Sequence, residues 1–118
     1  MAVNVYDTAN LLASQLKETE EYREYHRLKE LAYEDGTNKA LLDELKRMQF
    51  KMQARAASGE KPDGEDMQKL MRISSLLQLN QDASAYLVAE FRFQKLIADI
   101  HKILGDVAGI DIDALTQA

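Results

Sequence analysis

Apolar residues recur along this chain at spacings of three and four, the period of a helix buried on one side. Val5, Ala9, Leu12 and Leu16 form a first stripe over 5–17, with Asn4 placed to cap it and Asp7 at its third position. Tyr22, Tyr25, Leu28, Leu31 and Ala32 form a second over 20–35, restarted at Thr19 and ended by Gly36. Leu41, Leu45, Met48 and Met52 carry a third over 38–57, with Thr37 or Asn38 as its cap, Asp43 to Arg47 as a supporting pair, and Ser58-Gly59 as its close. Met67, Leu70, Met71, Ser74 and Leu77 carry a fourth over 64–79, capped by Asp63. Asn80-Gln81-Asp82 offers a stop or a kink before a last helix over 82–104. Gly105 and Gly109 end that pattern, and Ile110, Ile112 and Leu115 fall in a tail over 105–118.

The short segment Gly59-Glu60-Lys61-Pro62-Asp63-Gly64 turns the chain back, so its flanking helices run antiparallel. The pattern predicts an all-α fold without strands: an elongated antiparallel helical bundle built on a long helical hairpin, in one domain over 1–118. Met48, Met52, Met67 and Met71 flank the turn and are expected to pack together across the hairpin.

The last helix departs from a simple amphipathic pattern. Tyr86, Ala89, Phe93, Leu96, Ile97, Ile100, Ile103 and Leu104 line one side, with Phe93 and Ile100 expected to be buried and Lys95 on the outer face. Leu87 and Phe91 lie four apart on another side, with Val88 beside them. This second strip needs a cover, either a helix of the same chain or a second copy meeting it as a dimer seam.

Composition narrows the chemistry. The chain has 118 residues and a formal net charge of −5, which disfavours broad binding to a polyanion. It has no Cys, which excludes disulfides, thiolate metal sites and cysteine-bound iron–sulfur clusters. No run approaches the roughly 20 apolar residues of a membrane span, and Met1 to Tyr6 lacks the positive start of a signal peptide. A cytoplasmic chain is expected. Few helix breakers also leave few loops, where binding and catalytic groups gather.

No catalytic constellation emerges. His26 and His101 belong to neither a His-Glu-x-x-His nor a Glu-x-x-His pattern, because Arg23 and Ala98 stand three residues before them. Glu20-Glu21, Asp43-Glu44 and Glu65-Asp66 sit in or near first turns, where acids serve the helix dipole. With no phosphate loop or nucleophile elbow either, neither a catalytic residue nor a cofactor or metal site is assigned. One basic face stands out: Arg47, Lys51 and Arg55 step by four, suited to docking RNA or an acidic partner, or to pairing with the acidic helix that precedes them.

Read as a whole, from Val3-Asn4-Val5-Tyr6-Asp7 through Tyr22, Leu28 and Gly59-Glu60 to Tyr86-Leu87-Val88-Ala89-Glu90 and Ile100-His101-Lys102-Ile103-Leu104, the chain resembles the YheA/YmcA/YlbF family of small bacterial proteins, closest to its YheA branch. The resemblance implies an all-helical, commonly self-associated protein of the cytoplasm in Firmicute-like bacteria. It also implies a link to the regulatory complex through which the YmcA and YlbF branches influence RNA processing and development. Some relatives carry cysteines linked to iron–sulfur binding, which this chain lacks. The leading reading is a non-enzymatic, homodimeric helical adaptor that binds a protein partner; the alternative is an RNA-binding accessory factor using Arg47, Lys51 and Arg55.

Overall fold

In the computed structural model, which describes residues 3–109, five helices follow one another: α1 (Val5–Leu16), α2 (Glu20–Glu34), α3 (Gly36–Ala57), α4 (Gly64–Gln78) and α5 (Gln81–Ala108). No strand occurs among the described residues. The tail residues Ile110, Ile112 and Leu115 lie outside them.

Short polar side chains start every helix by accepting backbone N–H groups that the first turn leaves free. Asn4 receives those of Tyr6 and Asp7, Thr19 that of Tyr22, Asp63 that of Glu65 and Asn80 that of Ala83. The third helix starts earlier than its sequence pattern suggests. Asp35, not Thr37 or Asn38, is the cap, accepting from the N–H groups of Thr37 and Asn38. Gly36 therefore opens α3 instead of closing α2. Its φ is not positive, so it acts as an ordinary first helical residue. Gly105 likewise continues α5, and the helix ends at Gly109, whose φ of 71° is the left-handed conformation that terminates helices.

The core is small and centred on Tyr86, which is fully buried. Ala32 of α2, Leu42, Leu45 and Met48 of α3, Ile73 and Leu77 of α4, and Ala83 of α5 close around it. α1 contributes no buried residue. Helices α2 and α5 run antiparallel, since Tyr22 meets Phe93 while Tyr33 meets Tyr86. Helices α3 and α4 form a second antiparallel pair, with Glu44 bound to Lys69 and Lys51 to Asp66.

The result is elongated and thin, 56 × 37 × 16 Å, with a radius of gyration of 17.5 Å. A compact chain of this length would have about 13.5 Å. Thinness leaves much of each stripe uncovered. Phe93 and Ile100 are only half-buried, and Ile103 and Leu104 are exposed, because α5 outruns the helices packed against its first half. The methionine cluster also fails to close: Met48 is buried and Met52 half-buried, but Met67 and Met71 face solvent.

Candidate interaction surface

The second apolar strip of α5 divides. Leu87 leans inward and packs against the core, so part of the strip is intramolecular. Val88 and Phe91 point outward and are 49% and 67% exposed. On α5, Phe91 stands half a turn away from the side that carries Tyr86, Ala89 and Phe93. The inner side is strongly held: Phe93 stacks on Tyr25 with ring centroids 5.4 Å apart and meets Tyr22 edge-on at 5.6 Å.

Beside this outer strip, α2 and α5 leave a groove of about 550 Å³. Its floor is Leu28, Ala85, Val88 and Ala89; Glu20, Glu21 and Glu24 form one rim, and Arg92 stands opposite. The small Ala85 and Ala89 are what make the depression. Glu24 is held below its ordinary pKa by its hydrogen bonds from Arg27. Glu20 and Glu21 form no ion pair among the described residues, so their charge is presented to solvent.

The basic face of α3 does form a row, but acids already attend it. Arg47 binds Glu44, one residue away from the partner its sequence spacing suggests. Lys51 reaches Asp66 at 3.2 Å, and Arg55 lies 3.8 Å from Glu60 and 4.0 Å from Asp66. These acids come from α3 itself, the turn and α4. The acidic helix α2, expected to supply them, lies elsewhere and contributes none. Glu44 receives both Arg47 and Lys69, and those hydrogen bonds pull its carboxyl down to about 2.

Two features escaped the sequence. Glu90 accepts hydrogen bonds from the Tyr86 hydroxyl at 2.7 Å and from Lys46 at 2.6 Å, a link between residues 44 positions apart. Burial alone would lower the Lys46 ammonium, but the Glu90 carboxylate outweighs it and holds Lys46 above its ordinary value. The second is an exposed strip on α4 and its C-terminal cap, where Met71, Leu76 and the capping Leu79 are 65%, 52% and 85% exposed. Leu76 and Leu79, three apart and off the main stripe, carried the same signal as Leu87 and Phe91.

No group of three or more His, Cys, Asp or Glu residues among those described is arranged to hold a metal ion. His26 lies 4.3 Å from the Tyr22 ring and 5.3 Å from that of Tyr25, and His101 is half-buried on α5. No described helix is long and apolar enough to cross a membrane.

Comparison with known proteins adds to this geometry. A family model described as control of competence regulator ComK, YlbF/YmcA, matches residues 5–107. A UPF0342 protein of Caldicellulosiruptor bescii is 36% identical over 103 residues, covering 87% of each chain. Another, from Desulfitobacterium hafniense, is 37% identical over 110 residues, covering 93% of this chain and 88% of its own. Among solved structures, a protein of unknown function (DUF964) from Bacillus stearothermophilus superposes with a TM-score of 0.75 at 15% identity, covering 89% of this chain and 92% of the other. None of these descriptions names a reaction.

Proposed function

This chain belongs to the YlbF/YmcA family, and from that premise we propose that it is a non-enzymatic cytoplasmic adaptor that pairs with a second copy and acts by binding a protein partner in a regulatory pathway. One observation carries the pairing: Phe91 and Val88 stand exposed on the outer face of α5, in a molecule too thin to cover them itself. A large aromatic beside a β-branched residue is an anchor of the kind that dominates an interface core. The family link to control of a competence regulator supports a regulatory role. The paired state of Arg47, Lys51 and Arg55 argues for the protein-binding reading over RNA.

Light scattering on the purified protein tests the pairing. Val88→Glu with Phe91→Glu places two carboxylates at the seam and should turn a dimer into a helical monomer, since an interface cannot bury unpaired charge cheaply. Leu87 is left unchanged because it supports the core. A monomeric mass for the unmodified protein, or an unchanged dimer in the double variant, overturns the assignment.

A further inference from the structure

We infer that the groove between α2 and α5 seats an amphipathic helix from another protein, one that carries several lysines or arginines beside its apolar stripe. The inference rests on the adaptor reading and names the chemistry of its partner. Leu28, Ala85 and Ala89 offer an apolar floor, and the two alanines let a helix approach closely. Glu20 and Glu21 line the rim without cations of their own. Apolar residues at helical spacing would fill the floor while flanking cations meet these carboxylates. Arg92 on the far side suits a single acid there and fixes the direction of the bound helix.

The chain's own exposed apolar segments do not match this chemistry. α1 has no Lys or Arg and carries Asp7. On α4 the strip around Met71, Leu76 and Leu79 offers Arg72 alone, because Lys69 is bound to Glu44. At the end of α5, Lys102 is offset by Asp106. A helix with several free cations therefore comes from a different chain.

Fluorescence anisotropy with two designed peptides of about 18 residues, long enough to form a helix, tests this. Both place Leu at i, i+3, i+4 and i+7; one flanks them with Lys, the other with Glu. The Lys peptide should bind the intact protein, more weakly as salt rises, and the Glu peptide should not. Glu20→Gln with Glu21→Gln should weaken the Lys peptide about fivefold, the sum of two ordinary surface pairs. Glu30→Gln with Glu34→Gln removes the same charge elsewhere and should change binding less than about twofold. Ala85→Gln, which fills the floor without altering charge, should abolish binding and serves if the rim variant misfolds.

Equal losses in the rim and control variants would reduce the binding to general attraction and overturn the inference, as would a Lys peptide that fails to bind. A drop in the protein's own mass in the rim variant would make the occupant a second copy, which also overturns it. The adaptor reading falls separately, if native partners captured by the full chain are all lost on nuclease treatment.

Discussion

At the scale of single residues, stability concentrates on Tyr86. Its ring lies 5.8 Å from both Tyr25 and Tyr33, the Lys46 ammonium sits 5.4 Å from its centroid, and its hydroxyl donates to Glu90. Burial, with Glu90 beside it, pushes the Tyr86 hydroxyl well above the ordinary tyrosine pKa, so it stays a donor throughout the neutral range. Tyr86→Ala should cost about 3 to 5 kcal/mol, and Tyr86→Phe about 1 kcal/mol, since Glu90 keeps Lys46. Phe93→Ala should cost about 2 kcal/mol through its lost ring contacts, and Lys95→Ala, on the exposed face, about 0.5 or less. Urea denaturation ranks the four. Similar small losses throughout would misplace the core.

At the scale of elements, the α3–α4 hairpin is joined by a charge ladder with a definite pH dependence. Glu44 has its pKa lowered from 4.5 to about 2 in the folded chain, first by hydrogen bonding from Arg47, then from Lys69. A lowered carboxylate contributes stability that is present above pH 4.5 and lost as pH falls toward 2. Thermal unfolding followed between pH 6 and pH 2.5 should therefore show a loss of stability on acidification that is smaller in Glu44→Gln. Identical slopes in both proteins would mean that Glu44 is not the group responsible. Because both partners are exposed, added salt should shrink the difference.

At the scale of the whole molecule, a thin shape and a small core predict uneven stability. α1 has no fully buried residue, whereas α2, α3, α4 and α5 all contribute to the core around Tyr86. Hydrogen exchange should protect the amides around Ala32, Leu42 and Tyr86 most and those of α1 least. The end of α5, from Ile103 onward, should fall between them. Strong protection throughout α1 would show that something covers it in solution, and concentration dependence of that protection would identify the cover as a second copy.

What the sequence determined by itself is local in origin. Helical periodicity and side-chain caps depend on residues three and four apart, so the all-α class, the caps at Asn4 and Asp63, the restart at Thr19 and the turn at Gly59 were all legible, while Asn80 proved to be a cap where the pattern left a stop or a kink open. Gly36 and Gly105 misled because glycine permits a left-handed stop without requiring one, and no positive φ is used at Gly36. Tertiary structure decided which apolar stripes found a cover. Leu87 turned inward while Phe91, four residues on, remained outside, and Phe93 packed on two tyrosine rings while Ile103 stayed exposed. It also decided that Lys51 and Arg55 answer Asp66 of α4, not α2, and that Glu90 holds Lys46. Such pairings join residues far apart in the chain, so they exist only once the helices have taken their places around Tyr86.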